Sequence, residues 1–191
     1  MDGSTTVWAL VGLAIVALMI AAVVASRHRA RVRRSELRSK FGPEYDRAVE
    51  EYGPARADRE LASREQRVDK FQARELSEVD RARFVASWAS IQQQFVDDPG
   101  VAVNGANELI NQLMRALGYP TEHFEQRVAD LSVDHAAVVQ HYRAAKALAD
   151  ANRNGRVNTE ELRQAVVHYR VLFADLLHEP KAQPDLRRAH A

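Results

Sequence analysis

Oxygen-bearing side chains stand at short intervals along residues 150–161, between two predicted helices. They belong to Asp150, Asn152, Asn154, Asn158 and Glu161. Carboxylate and amide oxygens are the ligand types that hard metal ions prefer. The segment is therefore a candidate ion site.

The same twelve residues resemble an EF-hand calcium loop. The resemblance implies that Asp150, Asn152 and Asn154 supply side-chain oxygens at the first, third and fifth positions. It also implies that Gly155 makes the sharp turn and that Arg156 offers its main-chain carbonyl. Asn158 would then act through a water molecule, and Glu161 would close the site with two oxygens. Because only two of these ligands are charged, we expect a dissociation constant near the weak, roughly millimolar end of the EF-hand range.

A capped turn between two helices explains the same residues without a metal ion. Asn154 and Gly155 both tolerate the left-handed backbone conformation in which many helices end. Asn158 and Glu161 stand three residues apart, as the two partners of a capping box do at the start of a helix. Both interpretations, the calcium loop and the capped turn, are open at the level of the sequence.

The sequence contains none of the familiar catalytic arrangements. It has no cysteine, which excludes a thiol nucleophile, disulfide bonds and a cysteine-ligated metal. A Gly-x-Ser-x-Gly elbow, a phosphate-binding glycine loop and a His-Glu-x-x-His motif are also missing. No two histidines stand three or four residues apart, and we expect His135 and His168 to be partly exposed helix residues. The sequence thus indicates no enzyme, and its net charge of +1 indicates no nucleic-acid partner.

An uncharged apolar run over residues 7–25 predicts a membrane-spanning helix. A helix of that length is roughly 28 Å long, which is enough to cross the hydrocarbon core of a bilayer. We therefore expect the lipid bilayer to be the partner of this run, with residues 1–6 as a short extracytoplasmic N-terminus. A buried core helix and a cleaved signal peptide ending near Ala25 are the two alternatives.

Positive charges cluster directly after the apolar run, from Arg27 to Lys40, whereas only Asp2 is charged before it. Arginine and lysine are retained on the cytoplasmic side of a membrane, so the cluster predicts a cytoplasmic C-terminal part. The same cluster is a candidate contact for anionic lipid head groups.

Residues 26–76 are predicted to form a basic juxtamembrane region and a charged helical stem, with a net charge of +4. Gly-Pro pairs at 42–43 and 53–54 bound a short helix within it. Residues 55–75 carry eleven charges and few large apolar groups. We expect a solvated helix there, with a short coiled-coil stalk as the alternative.

Apolar residues recur with the helical period from Ser77 onward. The pattern predicts an all-α domain over residues 77–178, a small helical bundle of four main helices and one short helix. Ser77, Asp98 and Ser132 are the predicted N-caps within it. Residues 179–191 are expected to be a disordered tail.

Six short segments carry a further resemblance. They are Phe95-Val-Asp-Asp-Pro99, Gly118-Tyr-Pro120, Phe124-Glu-Gln-Arg127, Ser132-Val-Asp-His135, Leu162-Arg-Gln-Ala165 and His168-Tyr-Arg170. In these segments the chain resembles a group of uncharacterised bacterial proteins with a single membrane anchor, over about residues 41–177. The resemblance implies a bacterial inner-membrane location and an anchored helical architecture. The sequence as a whole therefore predicts a single-pass interaction or scaffolding module with an unknown protein partner, and calcium binding as the alternative function.

Overall fold

The computed structural model describes residues 3–70, 74–120 and 123–177, apart from the side chains of residues 3–11, 14 and 15. All regular structure in these residues is helical, which confirms the predicted all-α fold. The helices are α1 (Gly3–Phe41), α2 (Pro43–Tyr52), α3 (Pro54–Val68), α4 (Glu78–Asp97), α5 (Pro99–Ala116), α6 (Phe124–Asp134), α7 (Val139–Arg153) and α8 (Thr159–Leu177). The predicted tail over 179–191 lies outside the described residues.

Helix α1 is continuous from the apolar run into the basic region. Every described side chain from Leu13 to Glu36 is exposed. Leu37 and Phe41, at the end of the helix, are buried, with 1% and 0% of their surface exposed. Helix α1 therefore consists of an arm, residues 3–36, whose described side chains are all exposed, and a packed end.

The predicted membrane-spanning helix covers residues 7–25 of this arm. Within the described part of the chain, no helix is both long and apolar enough to cross a membrane, so the structure gives the predicted span no support. The side chains of residues 7–11, 14 and 15, which belong to that span, lie outside the described part.

Helices α2 and α3 form a hairpin that folds back against the packed end of α1. Each begins with a proline, and Gly53 between them has a φ of 76°, a left-handed conformation that reverses the chain at no steric cost to glycine. The hairpin builds a second core from Leu37, Phe41, Tyr45, Ala48, Ala57, Leu61 and Val133. The prediction of a solvated helix over residues 55–75 is wrong for the face that carries Leu61, because this side chain is completely buried in that core.

The main core lies between α4, α5, α7 and α8, with the short α6 packed beside α7. Trp88 of α4 stacks on Phe173 of α8, with their ring centroids 4.9 Å apart. Tyr142 of α7 and Tyr169 of α8 are both completely buried. This arrangement of four main helices and one short helix confirms the predicted helical bundle.

The helix caps decide where these helices begin. The Ser77 hydroxyl accepts a hydrogen bond from the amide of Asp80 at 3.0 Å, and the Asp98 carboxylate accepts one from the amide of Val101 at 2.9 Å. Both predicted caps are therefore confirmed. The predicted cap at Ser132 is wrong: this residue lies inside α6, and its hydroxyl donates to the carbonyl of Ala129 at 2.6 Å. A serine can satisfy its hydroxyl on a preceding helical carbonyl in this way, which allows α6 to continue to Asp134.

Candidate functional site

The first half of the predicted calcium loop is the end of helix α7. Asp150 and Asn152 are helical residues, since α7 extends to Arg153. Gly155 follows with a φ of 63°. Its amide donates to the carbonyl of Asn152 at 2.9 Å, and the amide of Arg156 donates to the carbonyl of Ala151 at 3.0 Å. This pair of hydrogen bonds is a Schellman motif, the standard way to end a helix at a left-handed glycine.

The carboxylate of Asp150 is paired with two cations. Its two oxygens lie 2.5 and 2.6 Å from the ammonium of Lys146, and the guanidinium of Arg153 also donates to it. These two positive charges offset the negative charge that would attract a Ca²⁺ ion. Asp150 is therefore held by residues of its own helix.

The second half of the loop is the beginning of helix α8. The amide of Asn158 donates to Oε2 of Glu161 at 2.8 Å, and the amide of Glu161 donates to Oδ1 of Asn158 at 3.0 Å. These reciprocal hydrogen bonds are the predicted capping box, which is thus confirmed.

The two remaining asparagines point to main-chain groups. The amide group of Asn152 donates to the carbonyl of Gly100 at the start of α5, over 2.9 Å, and so ties α7 to α5. The amide group of Asn154 donates to the carbonyl of Asp150 over 3.0 Å. Of the six predicted ligands, the structure joins Asn158 and Glu161, whose side chains each accept a hydrogen bond from the main-chain amide of the other. In this arrangement the set does not fit a Ca²⁺ ion, and calcium binding stays a prediction from the sequence.

A second site joins the hairpin to the bundle. A cleft of about 460 Å³ lies between α2 and α3 on one side and α6 and α7 on the other. Its charged lining residues are Glu44, Arg47, Glu51, Glu60, Arg64, Glu125 and Arg143. The cleft thus presents carboxylates and guanidinium groups side by side.

Arg143 is the central cation of this cleft. Its guanidinium donates from Nη2 to Glu44 and from Nη1 to Glu125, each over 3.1 Å. The second oxygen of Glu44 accepts a hydrogen bond from Gln140 at 2.6 Å. Glu44 is only 2% exposed, so these two partners replace the water that would otherwise solvate its carboxylate. The Nε of Arg143 is buried and has no hydrogen-bond partner among the described residues.

A second buried carboxylate holds α3 against α6. Asp130 is completely buried and accepts from Nε of Arg67 at 3.1 Å and from Gln126 at 2.8 Å. Sequence reasoning missed both carboxylates, Asp130 and Glu44, because their cationic partners, Arg67 and Arg143, come from distant parts of the chain. The sequence gives no clear signal for Asp130, because the residues three and four positions from it are mostly polar: Gln126, Arg127 and Asp134.

Two histidine contacts also cross between helices. Nδ1 of His135, at the end of α6, lies 2.5 Å from Oδ2 of Asp175 in α8. His135 is only 7% exposed, so the predicted partly exposed position is wrong for it. The Nδ1 atoms of His141 in α7 and His168 in α8 lie 2.9 Å apart, and both residues are half-buried. Burial and the neighbouring His141 lower the pKa of His168.

The predicted head-group contacts divide into two groups. The distal group, which is farther from the apolar run, forms ion pairs with α2 and α3. These pairs are Arg33–Glu65, Arg34–Asp58 at 2.7 Å, Arg38–Asp46 at 3.0 Å and Lys40–Glu65 at 3.2 Å. The proximal side chains of Arg27, Arg29 and Arg31 are exposed and have no ion pair with any described residue. The distal group therefore attaches the hairpin to α1, and the proximal group remains available to other partners.

Comparisons with protein families, with curated proteins and with solved structures find no match to this chain.

Proposed function

We propose that this protein is a membrane-anchored helical module that binds a protein partner and carries out no reaction of its own. The proposal rests on the exposure of large apolar side chains on the arm of α1. Contact of so many apolar side chains with water is unfavourable. These side chains are Leu13, Val16, Leu18, Met19, Ile20, Val23 and Val24, each between 47% and 70% exposed. A helix that is apolar on all sides is stable when a bilayer or another protein surrounds it.

The geometry of the arm supports the proposed contact with anionic lipid head groups. At 1.5 Å per residue, Arg27, Arg29 and Arg31 lie about 3, 6 and 9 Å beyond Ala25, the last residue of the apolar run. The head-group layer is roughly 5–8 Å thick on each side of a bilayer, so these three arginines reach it. The packed end of α1 at Leu37 begins about 18 Å beyond Ala25, on the aqueous side of that layer.

The same positive charges support the proposed orientation. We place the C-terminal body in the cytoplasm of a bacterial cell, with the anchor in the inner membrane. Reporter fusions after Ala191 test this placement: a fluorescent protein should be bright and an alkaline phosphatase inactive. An active phosphatase would put the body in the periplasm and overturn the orientation.

The charged cleft is the proposed partner site. It is concave, and its lining carries both signs of charge. A photo-crosslinking amino acid at Glu51, which lines the cleft and is exposed, should give an adduct with the partner in intact cells. The matched control is the same amino acid at Gln92, an exposed residue of α4 that does not line this cleft.

A charge reversal sharpens this experiment. Arg47→Glu changes the sign of one cleft residue without touching the buried Arg143–Glu44 contact, so it should abolish the Glu51 adduct while the protein stays folded. Adducts of equal yield at Gln92, or an adduct that survives Arg47→Glu, would contradict the assignment of the cleft.

A further inference from the structure

We propose that His141 and His168 form a binding site for a divalent transition-metal ion with a preference for imidazole, Cu²⁺ foremost. The pair spans α7 and α8, with the two Nδ1 atoms 2.9 Å apart. This site is independent of the proposed function, because neither residue belongs to the arm or lines the charged cleft.

The separation of the two nitrogens is compatible with binding of one metal ion. Metal–imidazole bonds are about 2.0–2.1 Å long, so two ligands at a right angle place their nitrogens about 2.9 Å apart, and two at a tetrahedral angle about 3.3 Å apart. The 2.9 Å of the hydrogen-bonded pair allows the right-angle arrangement with the smallest movement of the two rings. Tetragonal geometry with nitrogen ligands is typical of Cu²⁺ and Ni²⁺, whereas Zn²⁺ prefers the tetrahedral arrangement.

The scaffold around the pair is already in place before a metal ion binds. His141 is followed in α7 by Tyr142, and His168 is followed in α8 by Tyr169, and both tyrosines are completely buried. Their packing fixes the rotation of the two helices, so the imidazoles face each other without a loop having to close. Both histidines are half-buried, which leaves them a path to solvent.

The protonation state suits a metal ligand. The lowered pKa of His168 favours the neutral imidazole, which is the form that binds metals. In the metal-free pair, one Nδ1 carries the proton that the other accepts. On metal binding that proton leaves Nδ1 and the Nε2 of the same ring takes one up, so both rings stay neutral and both Nδ1 lone pairs bind the metal.

Two imidazoles are the ligands that the described part of the chain supplies to this site. Among the described residues, no group of three or more histidine, cysteine or acidic side chains is placed to hold a metal ion. Water therefore completes the coordination, and we expect an exchangeable ion and not a structural one.

The test is a titration of the full chain in detergent micelles with Cu²⁺, in the presence of glycine as a weak competing chelator. We expect one bound ion per chain and an electron paramagnetic resonance spectrum with coupling to two imidazole nitrogens. His141→Asn and His168→Asn should each weaken binding by roughly tenfold or more, since loss of even an outer-shell partner of a metal ligand weakens binding at least this much. His123→Asn, which removes an exposed histidine at the start of α6, should leave it unchanged.

The circular dichroism spectrum of each variant shows whether it is folded. If one of the two histidine variants does not fold, the other still tests the metal site. If Cu²⁺ bound His168→Asn and His141→Asn as tightly as the parent chain, the assignment would be wrong. The absence of imidazole coupling in the parent chain would overturn it as well, and the pair would then be a hydrogen bond alone.

Discussion

Nη2 of Arg143 in α7 lies 3.1 Å from Oε2 of Glu44 in α2, and this ion pair joins the two cores of the molecule. Arg143 also contacts Glu125 in α6, so one side chain connects three helices. A buried ion pair adds little net stability, but the loss of one member leaves the other as an uncompensated charge. The position of the hairpin on the bundle therefore depends on this contact.

We predict that Arg143→Ala lowers the free energy of unfolding by about 3 kcal/mol, because Glu44 loses its cationic partner while still buried. Denaturant titration of the full chain in detergent micelles, followed by near-ultraviolet circular dichroism, measures this loss. The matched control is Arg115→Ala, which breaks an exposed pair with Glu108 and should cost less than about 1 kcal/mol. Equal losses in the two variants would show that Arg143 is not holding a buried charge.

The capping box distinguishes the two interpretations of the 150–161 segment. Asn158→Ala removes the side-chain acceptor at the start of α8 and should cost about 1 kcal/mol. Glu161→Gln should cost much less, because glutamine also occupies the third position of a capping box. Thermal melts of the two variants test this order. A larger loss for Glu161→Gln than for Asn158→Ala would refute the capping account.

Titration with Ca²⁺ tests whether the same segment binds a calcium ion. Because the Asp150 carboxylate is paired with Lys146 and Arg153, we expect the amide resonances of Gly155 and Val157 to stay unchanged up to about a millimolar Ca²⁺. Saturable shifts below that concentration, lost in Glu161→Gln, would instead make the segment a calcium site.

The lowered pKa of His168 predicts a dependence of stability on pH. The unfolded chain takes up a proton near the ordinary histidine pKa of about 6.5, whereas the folded chain does so only at lower pH. Stability should therefore fall as the pH drops below about 6.5, and it should gain nothing from this group at higher pH. Melting temperatures between pH 5 and 8, in the presence of a chelator, measure the slope. His168→Asn should flatten it, and an equally steep slope in that variant would place the titrating group elsewhere.

Substitutions in the two groups of the basic cluster should have different effects: one group should affect lipid association, and the other the attachment of the hairpin to α1. Arg27→Ala, Arg29→Ala and Arg31→Ala should each weaken association with anionic lipid by about 1 kcal/mol, or roughly fivefold. Arg34→Ala should leave lipid association unchanged and loosen the hairpin instead, because Arg34 is paired with Asp58. Anionic phospholipid retained by the full chain in mild detergent is the quantity to compare. Equal lipid loss in all four variants would mean that the ion pairs of α1 do not separate the two groups.

The sequence was sufficient for those features that depend on near neighbours. The helical period of residues 84, 88 and 91 correctly placed one face of α4 in the core, and the caps at Ser77 and Asp98 follow from spacings of three residues. The capping box of α8 has the same three-residue spacing. Within a helix, such spacings fix which side chains meet.

Features that depend on distant neighbours were not predictable in this way. Leu61 lies in a strongly charged segment, and its burial arises from apolar groups on α1, α2 and α6. His141 and His168 are 27 residues apart, so a search for histidines within one helix face could not pair them. The hydroxyl of Ser132 binds its own helix, and nothing in its neighbourhood distinguishes that from an N-cap.

The proposed anchoring of α1 in a bilayer can be tested by alkaline carbonate extraction of membranes from cells that produce the full chain. We predict that the protein stays in the pellet, because carbonate releases proteins held by charge and retains those inserted through an apolar helix. Replacement of Leu18, Ile20 and Val24 by aspartate should move it to the supernatant. Release of the unaltered chain by carbonate would contradict the account.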